Sequence, residues 1–167
     1  MRPTSAFSEQ DGQLFEDAVD FVADPDALTG RWADDWQHDM RGRVAASDLI
    51  ALVSIPTLQT ATDPQQRTSF RLSTTVLKTM KGNAPADLTL SVADDAPGYS
   101  SIEPGRARLN TEQFVVFAKY YTKTDGSYDA HWHLSISSPQ VAAHVRAELG
   151  RDVAPSHTVI KTTVVKD

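Results

Sequence analysis

The chain has 167 residues, enough for one globular domain with a buried core. Its 40% hydrophobic and 23% charged residues are typical of soluble globular domains, and the absence of Cys excludes disulfides, thiolate metal sites and Cys nucleophiles. The net charge of -6 argues against a dedicated nucleic-acid binder, and no apolar run reaches the roughly 18 residues of a membrane-spanning helix.

The acidity is concentrated at the start of the chain. Residues 1–39 hold ten Asp or Glu and two Arg, a net charge of -8, whereas residues 40–167 carry +2. Such a segment is either a free arm that binds a partner or a pair of acidic helices with solvated outer faces. Apolar residues at helical spacing favour the helices. We therefore divide a single domain into an acidic helical segment, 1–43, that packs on a barrel, and residues 44–167, which form the barrel, a C-terminal helix and a tail.

Two helices are predicted in the acidic segment. The first follows from apolar residues that share one helical face, namely Leu14, Phe15, Ala18, Val19 and Val22. The second begins at Asp24-Pro25, an N-cap followed by the first helical residue, and is expected to stop at Gly42. Its apolar stripe recurs every four residues as Leu28, Trp32, Trp36 and Met40. A Trp stripe of this kind predicts a buried face, and an exposed one would be a partner surface.

From residue 47 the hydrophobic period changes to two, which is typical of strands. Five strands are predicted over residues 49–58, 70–77, 88–92, 114–121 and 128–136. The intervening residues 59–68 and 94–110 are predicted to be loops. Ser138 and Pro139 begin a helix that ends at Gly150, and residues 159–165 form either a last strand or a frayed end.

No helix is predicted between successive strands, which argues against a parallel α/β fold. The order of elements predicts a mainly β protein with flanking helices. Its centre is a five-stranded antiparallel OB-like barrel, with two N-terminal helices and one C-terminal helix.

The ordered motifs resemble the netrin-module and tissue-inhibitor-of-metalloproteinases-like OB folds, including their bacterial relatives. The similarity covers about residues 44–149 and rests on SDLIALV (47–53), FRLSTTVLKTMKG (70–82), LTLSV (88–92), QFVVFAK (113–119) and HWHLS (131–135). In that family one strand ends in a Lys-Gly turn, and a later strand carries an aromatic-apolar-apolar-Phe-Ala pattern. The resemblance implies an OB-like barrel.

The resemblance does not extend to the family's inhibitory mechanism. The inhibitors chelate a protease zinc through an amino-terminal Cys, and this chain has none. We therefore expect a non-enzymatic protein-binding or scaffold domain without a cofactor. Its partner, another protein, would contact the predicted loop 94–110 or the helical segment. The candidate partner-binding residues are Tyr99, Arg106, Arg108 and Tyr121.

A metal-dependent enzyme is the alternative from another class. His131 and His133 lie two residues apart on one strand, so both imidazoles lie on one face, as a zinc site requires. His38, His144, His157 or an Asp would have to supply a third ligand. The competing interpretation is a solvated strand face, with Asp129 and Ser135 beside the two His residues.

Two further expectations complete the prediction. Single-stranded nucleic acid could stack on Phe70, Tyr120 and Tyr121, but the acidic helices would repel phosphates, so no nucleic-acid partner is expected. The polar stretch after Met1 lacks the apolar core of a signal peptide. The bacterial proteins that the chain resembles are often exported or lipid-anchored, and an extracytoplasmic location is therefore favoured over a cytoplasmic one.

Overall fold

A computed structural model of the chain describes residues 9–85, 88–122 and 128–153. Four α-helices and six strands make up this part of the chain. In order they are α1 (Glu9–Leu14), β1 (Ala18–Asp20), α2 (Gly30–Ala46), β2 (Leu49–Thr62), β3 (Thr68–Lys81), β4 (Thr89–Ala93), α3 (Arg106–Thr111), β5 (Gln113–Thr122), β6 (Tyr128–Ile136) and α4 (Pro139–Val153). Single 3-10 turns form at Pro25–Ala27 and Pro97–Ser101.

The strands form one curled sheet, a half-barrel, in the order β1-β6-β5-β2-β3-β4. β1 runs parallel to β6, and the other neighbours are antiparallel. The predicted mainly β architecture with flanking helices is confirmed, but the prediction of five strands in a closed barrel is wrong. The edge strands β1 and β4 do not pair with each other. Across the open side, the indole Nε1 of Trp132 donates a hydrogen bond of 2.9 Å to the carbonyl oxygen of Ser91.

Apolar residues are buried on both faces of the sheet. The inner core lies within the curl and includes alternate residues of the central strands, such as Val53, Val116 and Leu134. The outer core lies between the convex face and helices α1, α2 and α4, where Val115 and Phe117 face outward. Because β5 contributes to both cores, its sequence is apolar on both faces, as its position between β6 and β2 requires.

The first predicted helix is wrong beyond Leu14. Asp17 adopts φ 57, a left-handed conformation that ends a helix, and the chain continues as β1. Leu14 and Phe15 enter the outer core, whereas Val19 enters the inner core. The structure of the residues after Leu14 is therefore determined by pairing with β6 and not by the helical spacing of their apolar side chains.

The second predicted helix exists with different limits. It begins at Gly30, because Pro25–Ala27 forms a separate 3-10 turn, and it continues through Gly42 to Ala46. Gly42 is needed for packing: a Cβ at this position would lie 3.2 Å from the side chain of Leu14. Gly42, where the helix was predicted to end, is thus the position at which the end of α1 packs against α2.

Both predicted loops contain regular structure. β2 and β3 cover half of residues 59–68, leaving a turn over 63–67 in which Asp63 Oδ1 accepts hydrogen bonds from the backbone N–H groups of Gln65 and Arg67. Residues 94–110 contain a 3-10 turn and most of α3, because Ile102 and Leu109 bury their side chains in the inner core. The predicted element at residues 159–165 lies outside the described residues.

Gly82 and Gly150 provide a test of backbone strain. Gly82, directly after β3, has φ +75, and a Cβ there would overlap the carbonyl oxygen of Asp48. We expect Gly82→Ala to destabilise the protein by more than about 1 kcal/mol. Gly150 lies in α4, and a Cβ there would meet no atom within 4 Å, so Gly150→Ala should stabilise it by about 0.5–1 kcal/mol. Urea unfolding measures both changes, and equal effects would contradict the structure.

Candidate functional site

Two neighbouring carboxylates meet the two candidate histidines at the β1 side of β6. The Nδ1 atom of His131 lies 2.9 Å from Asp17 Oδ2, and the Nδ1 atom of His133 lies 2.5 Å from Glu16 Oε1. The residues Glu16 and Asp17 are consecutive, and the histidines are two apart on one strand. The structure therefore brings both predicted histidines into one polar cluster, each with its own carboxylate.

Asp17 attaches the N-terminal segment to β6. Its backbone N–H donates to the carbonyl oxygen of Trp132 at 2.8 Å, and its Oδ1 accepts a hydrogen bond from the Trp132 backbone N–H at 3.0 Å. With the His131 contact, a single residue makes three polar contacts to two consecutive residues of the strand. These contacts hold its backbone in the left-handed conformation, which Asp adopts more readily than most residues.

His133 lies between Glu16 and Ser135. Its Nε2 is 3.1 Å from Ser135 Oγ, so the three side chains follow the Ser-His-acid order of a hydrolytic triad. However, Ser135 has no exposed surface, and a nucleophile must reach its substrate. Arg43 completes the cluster: its Nη2 lies 3.6 Å from Glu16 Oε2, and its Nε donates to the carbonyl oxygen of Leu14 at 2.8 Å. The arrangement binds α2 and the N-terminal segment to the sheet.

The charges in this cluster follow from its burial. Burial and the nearby Arg43 lower the pKa of His133, and the interaction with Glu16 opposes them without reversing the direction. The neutral imidazole then donates from Nδ1 to Glu16 and accepts from Ser135 at Nε2. Burial alone would raise the pKa of Glu16, but the hydrogen bond from His133 and the guanidinium of Arg43 bring it below its usual 4.5.

The histidines do not form a set of metal ligands with other side chains of the described residues. Across residues 9–85, 88–122 and 128–153 there is no group of three His, Asp or Glu side chains placed to hold a metal ion. His144 instead pairs with Asp26 at 2.8 Å, and His157 lies outside these ranges. The competing interpretation of a solvated strand face is also wrong, because His133 and Ser135 are buried.

The four predicted partner-binding residues do not form a single cluster. Tyr99 stacks on Phe70 with ring centroids 4.7 Å apart, and Arg106 lies 5.7 Å from the same ring. Arg108 instead covers Phe21, 4.7 Å from its centroid. Tyr121 is buried on β5 beside His131. The structure thus brings Tyr99 and Arg106 together and leaves Arg108 and Tyr121 apart from them, and their role in partner binding stays a prediction.

The open side of the half-barrel carries a groove of about 340 Å³. One wall contains Ser69, Thr89 and Ser91 from β3 and β4, and the other contains Tyr120 and Trp132 from β5 and β6. Nothing in the sequence indicated this groove, because it depends on the sheet remaining open.

The Trp stripe of α2 is only partly buried. Trp36 and Met40 lie in the outer core, but 75% of Trp32 is exposed, so the predicted core position is wrong for this residue. The reason is the position of α4: Trp36 contacts His144 of α4 with ring centroids 5.1 Å apart, and Trp32 lies one turn closer to the helix start. The Trp stripe in the sequence was the signal for this position, because an exposed stripe would be a partner surface.

Trp32 lies in acidic surroundings. Beside it, Ala27, Leu28 and Thr29 form a shallow hollow. Asp35 and Asp39, three and seven residues on, share its helical face. Residues 24–39 carry five Asp and one Arg, a net charge of -4 with His38 neutral. We call Trp32, Leu28, Asp35 and Asp39 the Trp32 surface.

Comparison of the chain with protein-family models, curated proteins and solved structures finds no match. No helix of the described residues is long and apolar enough to cross a membrane.

The buried cluster predicts how stability depends on pH. The pKa of His133 is lower in the folded than in the unfolded chain, where it is about 6.5. Unfolding therefore takes up a proton as the pH falls below about 6.5, and stability decreases by up to about 1.4 kcal/mol per pH unit from this group. Glu16 acts in the same direction below pH 4.5.

His133→Gln removes the first of these contributions. We expect its free energy of unfolding, measured in urea between pH 7 and 5, to depend less steeply on pH than that of the wild type. His38→Gln, at an exposed position of α2, should keep the wild-type slope. Identical slopes for His133→Gln and the wild type would show that His133 does not change its protonation on unfolding.

Proposed function

We propose that the chain is a non-enzymatic protein-binding domain and that its partner binds at the Trp32 surface. The observation that carries the proposal is the 75% exposure of Trp32, on a helix whose Trp36 and Met40 are buried. Trp is highly buried on average in folded proteins and is among the residues most enriched at the centres of protein interfaces. An exposed indole next to a shallow hollow therefore supports binding of another protein.

The charge of this surface indicates the chemistry of the partner. Asp35 pairs with Arg31 at 3.6 Å, but both side chains are mostly exposed, so the pair is weak and can rearrange. The surplus of carboxylates favours a partner that offers Lys or Arg around an apolar contact. A cationic side chain over the indole face would add a cation–π contact. The same charge disfavours a nucleic-acid partner.

We also propose an OB-like relationship and a cellular location for the chain. A half-barrel with an open side is compatible with an incomplete OB-like fold of netrin-like type, and an extracytoplasmic location belongs to the same proposal. The metal-dependent enzyme is less well supported, because His131 and His133 each engage a different carboxylate and Ser135 is buried.

Metal content separates the two classes of function. After incubation with excess zinc and exhaustive dialysis, we expect the protein to retain well below one zinc ion per chain, by elemental analysis. His133→Gln should give the same result. Stoichiometric zinc in the wild type that His133→Gln abolishes would favour the metal-dependent enzyme.

A capture experiment tests the binding surface directly. The immobilised full chain, its Trp32→Ala variant and its Gln37→Ala variant are each incubated with a lysate of the native source, and bound proteins are identified by mass spectrometry. Loss of a central interface Trp typically weakens binding about tenfold or more.

We expect an identified protein with a basic surface to bind the wild type and Gln37→Ala and to be largely lost with Trp32→Ala. Gln37 is exposed on the same helix, so it controls for changes in α2 itself. Unchanged capture by Trp32→Ala would contradict the proposed surface.

A further inference from the structure

A second surface of the chain complements the Trp32 surface. Between α4 and the sheet lies a cavity of about 130 Å³, lined by Leu52, Met80, Val115, Ala142 and Val145 together with Ser137 and two cations, Lys78 and Arg146. We call this cavity the socket. Its lining is mostly apolar, and its opening carries positive charge.

The two cations of the socket are available to a partner. Lys78 and Arg146 are both exposed, and neither forms an ion pair with a carboxylate of the described residues. Leu77, which precedes Lys78, is 46% exposed. Trp32 and Leu77 are both large apolar side chains that stay exposed. One belongs to the Trp32 surface, and the other directly precedes a residue of the socket in the chain.

We propose that the Trp32 surface binds the socket of a second copy of the chain. This inference rests on the proposed function and names the partner. The chemistry required of the partner, an apolar hollow surrounded by cations, is present on the chain itself. A closed cavity of about 150 Å³ in a protein core accepts benzene. The socket, at about 130 Å³ and open to the surface, takes one edge of the Trp32 indole rather than the whole ring system. Asp35 and Asp39 then face Lys78 and Arg146 across the contact, which favours this orientation over others.

The contact joins two different surfaces, so it is heterologous. Each copy that inserts its Trp32 leaves its own socket open for the next copy, and association continues into chains or closes into a ring. Trp32 does not occupy the socket of its own chain, because 75% of its surface is exposed. Self-association should therefore increase with concentration and weaken as added salt screens the charges.

Two variants that each remove one surface test the arrangement. Trp32→Ala deletes the inserted side chain and leaves the socket. The double variant Lys78→Glu with Arg146→Glu reverses the charge of the socket and leaves Trp32. All three substituted residues are exposed, so both proteins should keep the wild-type melting temperature. Arg71→Glu, an exposed charge reversal on β3 outside the socket, is the matched control.

Sedimentation equilibrium of the full-length proteins up to about 1 mM provides the measurement. We expect the wild type and Arg71→Glu to exceed the 18.3 kDa monomer mass progressively. Each variant alone should associate at least about tenfold more weakly. An equimolar mixture of the two variants should form a heterodimer that stops at twice the monomer mass, because one copy retains only the socket and the other only Trp32.

Three results would overturn the inference: a wild type that stays monomeric at about 1 mM, undiminished association of either variant, or no heterodimer in the mixture. The proposed function is judged separately. Suppose that the wild type is monomeric, but that it captures a protein from the lysate that Trp32→Ala does not capture. The Trp32 surface then binds a different partner, and only self-association is wrong. If the wild type is monomeric and Trp32→Ala captures the same proteins as the wild type, both proposals fail.

Discussion

The attachment of Asp17 to β6 is the constraint on which the arrangement of the N-terminal segment depends. A left-handed residue other than Gly costs about 1–3 kcal/mol, and here it persists because three polar contacts to His131 and Trp132 hold it. The reversal of the backbone places Phe15 in the outer core and Val19 in the inner core. One strained residue thereby connects the two apolar layers of the molecule.

The same attachment fixes the position of the buried charges. Once Asp17 is held on Trp132, Glu16 must lie beside His133, and Arg43 of α2 meets the Glu16 carboxylate. Arg43 is only 4% exposed, so its charge depends on nearby carboxylates, of which Glu16 interacts with it most strongly and Asp39 and Asp20 less so. The N-terminal segment, α2 and β6 are consequently coupled. Removing Glu16 would take away the strongest compensating charge of the buried Arg43, a larger loss than the hydrogen bond to His133 alone.

The sequence predicted the elements whose hydrophobic period agrees with their tertiary contacts. β6 begins at Tyr128 and ends at Ile136 as predicted, and α4 begins at Pro139 with Ser138 Oγ accepting the Val141 N–H. Prediction failed where non-local pairing overrode local pattern. The segment after Leu14 pairs with β6, more than a hundred residues away in sequence, and no local period can indicate such a pairing.

The candidate site was predictable in residue type but not in role. His131 and His133 carry the spacing of metal ligands, yet the structure uses them to hold the chain together. Trp32 carries the spacing of a core residue, yet it lies outside the reach of α4. Burying a large apolar side chain stabilises a protein by about 1.5–3 kcal/mol, and the isolated chain does not gain this stabilisation from Trp32. A partner that covers the indole gains it on binding. This free energy is comparable to the 2 kcal/mol or so that defines an interface hot spot, and so the exposed residue, rather than the histidine cluster, is where binding affinity should be concentrated.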